Sequence, residues 1–364
     1  MSQAIIWKDD AAYPRNAEFM SRQLDLRSGL GSPRYLTQKS TKDGVTIAAG
    51  TILPLLSGSI WKANYFITAT DVTTLDTGTL SNGKDYCVYL CDDGSDAGVL
   101  LISLNATAPA GYTSGNSRKI GGFHTLCANA GTISSHPLSG YTANQVLPWS
   151  VWDLTHKPKN ASPNGMVYSA AVDTWVDIYL ASGTGTSTAS TYNATITDTR
   201  NQMDFCDDGA AVFKRLLWDS EFTAIATGSN EETNVTGSTD PATTGGKVDT
   251  AARRMISNIG CEDCCGVEWQ WLQDNVYYPP LLTAGTTYGT YGNLPGAKGS
   301  FYTTFTSATP TDPLGNADAA GLNSLLAGGT WGAGTICGSR SRYTAYARWY
   351  TNAAIGGRFA AEPV

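Results

Sequence analysis

SNIGCEDCCGVEWQWLQD, residues 257–274, sets three cysteines, four carboxylates and two tryptophans within eighteen positions. Its aromatic end reads as strand or turn structure, with Trp269 and Trp271 expected in a core rather than at a contact surface. The cysteines invite a zinc reading through the C-x-x-C of Cys261 and Cys264. A structural zinc site needs four ligands, usually a second pair at matching spacing, and His124, His136 and His156 supply no such pair. No metal site is expected, and the eight cysteines of the chain are read as free, buried thiols.

Outward from that block, the 364 residues are enough for several domains. Charged residues make up only 15% while glycine reaches 39 copies, the balance of turn-rich β structure. A net charge of -7 argues against general binding along a phosphate backbone, which needs an excess of Lys and Arg on one face. No apolar run is long enough to span a bilayer, so no membrane insertion is expected. Residues 1–19 lack the basic start and apolar core of a secretory leader, so synthesis in a bacterial cytoplasm is expected.

Residues 1–45 read as an N-terminal arm or attachment segment. From 46 to 145, the short apolar runs GVTIAAGTILPLL, YFITATDV, DYCVYLCD and GVLLISLNAT are each bounded by turn residues and describe an antiparallel β domain. CDDGSDAG (91–98) lacks the terminal Glu of a calcium loop and reads as a hairpin turn. Residues 146–160 form a proline-bearing connector, and residues 161–364 a second domain. There GMVYSAAVDTWVDIYL resumes strand patterning, with Trp175, Ile178 and Leu180 as core candidates. Leu216, Leu217, Phe222 and Ile225 suggest a strand leading into a short helix, and AARRMISNIG (251–260) a second short helix closed by Gly260. The Gly/Pro/Thr/Tyr-rich stretch 279–318 is long enough to suggest a functional segment.

CGSRSRYTAYARWYTNAAIGGR (337–358) carries Arg340, Arg342, Arg348 and Arg358 among tyrosines, with no acidic residue. Tyr with Ser, Thr, Asn, Gly and Ala is paratope chemistry: large amphipathic area at low rotamer cost beside small adaptable residues. Ordinary strand packing is the competing reading of the tyrosines. Taken in order, GMVYSAAVDTWVDIYL, the 257–274 block, GGTW at 328–331, the arginine-bearing segment and IGGRF at 355–359 resemble the C-type-lectin-like fold in its formylglycine-generating-enzyme variety. Within it the chain resembles the variable proteins of diversity-generating retroelements, phage receptor-binding proteins at tail-fibre tips. The resemblance implies a β-rich multidomain chain: N-terminal antiparallel β structure, then an α+β C-type-lectin-like domain with its variable region at about 328–358.

In that family, adenine-directed mutagenesis randomises selected Asn-type codons. An AAC or AAT codon changed only at adenines cannot yield Trp, Met, Gln, Lys or Glu. From Gly328 onward only Trp331, Trp349 and Glu362 belong to that set. The resemblance thus implies ligand contacts at Ala333, Thr335, Tyr343, Thr344, Ala345, Tyr346, Tyr350, Thr351, Asn352 and Ala353. Trp331, Arg340, Arg342, Arg348, Trp349, Gly356, Gly357 and Arg358 would form the fixed scaffold, with Glu262, Asp263 and Glu268 as candidate arginine partners.

The parent fold also includes thiol-dependent oxidases. Here Cys337 is followed by GSRSRY without a second cysteine, so an oxidase is the alternative reading rather than the expected one. A non-variable structural fibre tip is the other. The expected protein is non-enzymatic, needs no cofactor and binds no nucleic acid. Its partners would be a host cell-surface receptor, protein or glycan, and tail-fibre or baseplate proteins, and it would act as a homotrimer on the virion tail fibre.

Overall fold

The computed structural model describes residues 3–7, 34–57, 60–94, 98–278, 287–288, 305–306, 321–344 and 346–364. Most of the expected N-terminal arm, most of the 279–318 stretch and Ala345 lie outside them. The chain forms two compact units: Met1–Ala128 with Thr142–Lys157 and Val364, and Asn129–Tyr141 with Pro158–Pro363.

Unit 1 is antiparallel β structure. β1 (Gln3–Trp7), β4 (Ile52–Ser57) and β5 (Ile60–Tyr65) make one sheet in the order β1-β5-β4, and β2 (Leu36–Gln38), β3 (Val45–Ile47) and β6 (Thr70–Val72) a second in the order β2-β3-β6. β7 (Asp85–Cys91), β8 (Val99–Ser103), β9 (Ser117–His124) and β10 (Trp152–Asp153) make a third in the order β10-β9-β7-β8. The apolar runs read from sequence fall on β3 and β4, the end of β5 with β6, β7 and β8, and β7 pairs antiparallel with β8, Cys91 opposite Val99, across the expected turn, whose residues 95–97 lie outside the described residues. Their inward side chains, among them Val45, Ile47, Leu53, Val88, Leu90 and Ile102, converge in one apolar core. β9 has no such signature, because Gly121 and Gly122 interrupt it. A Cβ on Gly121 would stand 2.4 Å from the Trp152 carbonyl oxygen, and one on Gly122 2.4 Å from that of Tyr86, so the close strand spacing requires glycine.

Unit 2 carries two four-stranded sheets. β11 (Met166–Ser169) and β12 (Thr174–Asp177) form a hairpin and join β13 (Arg215–Leu216) and β20 (Phe359–Ala361) in the order β11-β12-β20-β13. β14 (Trp269–Tyr278), β17 (Gly321–Gly328), β18 (Gly338–Tyr343) and β19 (Ile355–Gly357) form the other, β18-β17-β14-β19, and β15 (Thr287–Tyr288) pairs with β16 (Phe305–Thr306). β19 runs parallel to β14, Trp269 opposite Ile355 and Trp271 opposite Gly357. Trp175, Ile178, Leu180 and Trp271 are fully buried, and Trp269 nearly so.

Two helices support these sheets. α1 (Gln202–Ala211), which the sequence pattern does not signal, starts at a reciprocal cap: Asp204 N donates to Asn201 Oδ1 (2.9 Å) and Asn201 N to Asp204 Oδ2 (3.3 Å). The expected strand and helix near 216–225 are β13 and α2 (Asp219–Ile225), with Leu216, Leu217, Phe222 and Ile225 all buried. The expected helix over 251–260 does not form. Ala252 takes a left-handed φ of 61°, Asp249 Oδ1 accepts from the Ala251 and Arg253 amides, and Arg254 turns inward to Glu262 at 2.6 Å. A buried ion pair and an Asx-type turn override a helical pattern there.

Candidate ligand-binding surface

The segment after β18 is held at both ends by arginines. Arg342, 2% exposed, donates through Nε to Asp219 Oδ1, through Nη2 to Thr223 Oγ1 (2.7 Å) and through Nη1 to the carbonyls of Ser339 (3.0 Å) and Ser341 (2.8 Å), with its guanidinium 5.0 Å from the centre of the Phe222 ring. Arg358, fully buried, occupies the single position between β19 and β20, where the chain leaves one sheet for the other. Its guanidinium donates to the carbonyls of Asp177 (2.8 Å), Ile178 (2.6 Å) and Glu262 and to Gln270 Oε1 (3.1 Å). One planar fork thereby staples elements of both sheets.

Of the expected partners, Glu262 does meet Arg358, but through its backbone carbonyl, and the carboxylates pair elsewhere or not at all. Asp263 pairs with Lys247 at 3.3 Å and Glu262 with Arg254, while neither oxygen of buried Glu268 has a hydrogen-bond partner. Burial, with Asp198, Asp240 and Asp263 adding to it, pushes the Glu268 carboxyl well above its usual range. Glu268 lies against β19: a Cβ on Gly356 would come 2.2 Å from Glu268 Oε2, and one on Gly357 2.7 Å from the Phe205 ring. Only glycine fits at this close approach.

Between the two arginines the chain presents aromatic surface. Tyr343 lies 5.7 Å from Trp269 and 5.0 Å from Tyr346 between ring centres, and Tyr346 stacks on Tyr350 at 3.8 Å with 9° between planes. All three tyrosines are half-buried against the unit 2 core, so packing and exposure are both real. Burial and the neighbouring phenols raise the pKa of Tyr346, keeping it a neutral donor. Thr351 and Ala353 are exposed, and Asn352 shapes the turn, accepting from Ala354 N (2.8 Å) and donating to the Tyr350 hydroxyl (3.2 Å). Ala333 is half-buried and Thr335 exposed, at a short 3-10 turn (Gly334–Ile336).

Two expectations fail in this segment. Thr344 is 3% exposed, because the backbone there turns inward and its carbonyl accepts from Asn323 Nδ2 at 3.0 Å. Trp349, expected in the scaffold, is 53% exposed: it sits in a turn in which Tyr350 N donates to the Ala347 carbonyl (3.0 Å). Trp331 is half-buried against Leu180, Ile196 and Val267. Arg340 is exposed, and Arg348 makes a clasp that the sequence does not signal: its Nε donates to Gln202 Oε1 (2.9 Å) and its carbonyl accepts from Gln202 N (3.0 Å) at the start of α1. Arg348 thus fastens the segment after Tyr343 to the start of α1, Ser324 N and Trp269 N donate to the carbonyls of Tyr346 (3.0 Å) and Ala354 (3.0 Å), and Arg342 ties the preceding strand to α2.

Cys337 is buried, and burial lifts its thiol to about 12, which disfavours the thiolate form. All eight cysteines are unbridged, and Cys206 alone is not fully buried. Among the described residues no three His, Cys, Asp or Glu side chains are placed to hold a metal ion, and no helix is long and apolar enough to cross a membrane.

Unit 2 is thus a two-sheet α+β unit that carries an aromatic segment between buried arginine staples, the architecture expected of a C-type-lectin-like domain. Residues 34–153 match the family model of the Mtd second domain. The chain is 30% identical over 340 residues, 86% of its length and 77% of the relative's, to the tail fiber receptor-binding protein of Bordetella phage BPP-1. It superposes on the Major Tropism Determinant U1 variant with a TM-score of 0.68 at 27% identity (91% of this chain, 84% of the other), and on the I1 variant with 0.68 at 26% identity (100% and 86%). The chain belongs to the major tropism determinant family of phage tail-fibre proteins.

Proposed function

We propose that this protein binds a host cell-surface receptor, protein or glycan, through the C-terminal segment and sits at the tip of a phage tail fibre. The observation that carries the reading is the Tyr343–Tyr346–Tyr350 stack beside exposed Trp349, on backbone fixed by Arg342, Arg348 and Arg358. Side chains here can change while the staples hold the backbone, which is what a retroelement-diversified surface requires. Tyr343, Tyr346, Tyr350, Thr351, Asn352 and Ala353 are the proposed variable contacts, with Ala333 and Thr335 at the edge. Trp349 joins them as a fixed one, since its codon cannot arise by adenine-directed change from an Asn codon. Thr344 is withdrawn, being buried.

Assembly is proposed as a homotrimer docked to other tail-fibre or baseplate proteins, so that a weak site gains from threefold avidity. A non-enzymatic role is supported by the burial of Cys337, which raises its thiol, and by the lack of a second cysteine beside it. The test is adsorption of phage carrying Trp349→Ala with Tyr350→Ala. We expect at least about a tenfold loss of adsorption, equivalent to 1.4 kcal/mol, with the thermal midpoint held within a few degrees. Unchanged adsorption would remove this surface from the reading.

A further inference from the structure

Unit 2 also holds an open hollow of about 590 Å³, none of whose lining residues falls within 328–358. One wall is the loop Asn129–Tyr141, closed on itself by Ala130 N to the Tyr141 carbonyl (2.9 Å), Gly140 N to the Gly131 carbonyl (2.8 Å) and Ile133 N to Ser139 Oγ (3.0 Å). This fixed loop lines the hollow with Thr132, Ser134 and Ser135, and Thr227 faces in from the end of α2. His136 clamps the loop in place: its Nδ1 accepts from Leu138 N (3.1 Å) and its Nε2 donates to the Ile256 carbonyl (3.3 Å). With Nδ1 used as an acceptor, the ring is neutral and contributes no charge.

The charge comes from Arg253. Its guanidinium donates to the carbonyls of Gly228 and Arg254 (3.1 Å), which orient it, and no carboxylate stands within ion-pair distance of it among the described residues. No Asp or Glu lines the hollow, although the chain as a whole carries a net charge of -7. An oriented, half-buried guanidinium without a carboxylate, faced by four hydroxyls and the Asn258 side chain, is a constellation for an oxyanion attached to a polyhydroxylated body. We propose that this hollow binds a carboxylated monosaccharide unit, the Arg253 fork taking the carboxylate while Ser134, Ser135, Thr227 and Asn258 meet the sugar hydroxyls. No aromatic side chain lines it for stacking, so affinity is weak, with Kd on the order of 1 mM. Because the lining lies outside the C-terminal segment, such a contact stays constant while that segment changes, and it stands independently of the receptor reading above.

The test uses the full chain titrated with D-glucuronate, D-glucose and inorganic phosphate in separate arms, followed by NMR. Saturable glucuronate binding, weakened about tenfold or more by both Arg253→Gln and Ser134→Glu, is expected; tenfold corresponds to 1.4 kcal/mol. Ser134 is exposed, so Ser134→Glu places a carboxylate at the mouth without touching the core, and its thermal midpoint should match that of the unmodified chain. No saturation below about 50 mM glucuronate, or binding indifferent to Ser134→Glu, overturns the proposal. Phosphate binding as tight as glucuronate, with glucose inert, would mark a bare anion site and overturn the sugar assignment.

Discussion

Unit 1 and unit 2 are both largely antiparallel β structure, but different forces hold them. The unit 1 sheets close over one apolar core in which the strands contribute Val, Ile and Leu at alternating positions. Unit 2 has apolar clusters too, yet Arg358 bridges its two four-stranded sheets, and Arg342, Lys214 and Arg254 are buried against carbonyls, hydroxyls and carboxylates. Apolar burial is non-directional and tolerates substitution of similar volume, whereas a buried guanidinium is specific in geometry and costly to leave unpaired. This chain thus carries the surface proposed to change on the unit whose backbone is fixed by directional bonds.

The strongest way to break this contrast is at Arg358. Arg358→Met leaves the carbonyls of Asp177, Ile178 and Glu262 without their donor, and a cost of about 3–5 kcal/mol is expected by urea denaturation. In unit 1, Ile120→Val removes one buried methylene and should cost about 1 kcal/mol. Equal effects from the two would erase the distinction.

Glu268 sharpens it, as a buried carboxylate in unit 2 that lacks a partner. Its folded pKa is raised above the usual 4.5, so the folded state binds more protons than the unfolded one above that pH. Its contribution to stability is fully present below 4.5 and is lost as pH rises toward the folded pKa, at up to about 1.4 kcal/mol per pH unit. Glu268→Gln should flatten that part of the stability profile between pH 5 and 7, measured by urea titration at each pH. A variant profile parallel to that of the unmodified chain would show that Glu268 is ionised in the fold.

The smallest stability effect belongs to Trp349→Ala, within about 0.5 kcal/mol because the indole is 53% exposed. A loss above 2 kcal/mol on thermal unfolding would return Trp349 to the scaffold.

Legibility followed the same division. β3 could be read because one-sided burial writes a period-2 pattern into it, and β7 because a strand buried on both faces is a continuous apolar run bounded by turn residues. α1 could not, since its ten residues include three acidic ones and a Gly, and its start is set by a side-chain cap. Family resemblance singled out the four arginines as candidate scaffold, and Arg342, Arg348 and Arg358 make long-range bonds while Arg340 is exposed. Their partners Asp219, Thr223 and Gln202 lie over a hundred positions away in sequence, and no local pattern names them.

By itself, then, the sequence determined the β-rich class, the buried tryptophans Trp175, Trp269 and Trp271, and the aromatic, arginine-bearing and acid-free character of the C-terminal segment, with the lectin-like order of motifs read by resemblance. Composition and periodicity are local records of burial, and these properties depend on little else. Only the tertiary structure decided that Thr344 turns in while Trp349 turns out, that Glu268 is buried without a partner, and that Arg358 staples two sheets. Each of those depends on which distant backbone carbonyls and side chains arrive at one point, a consequence of strand crossing and register rather than of any neighbouring residue.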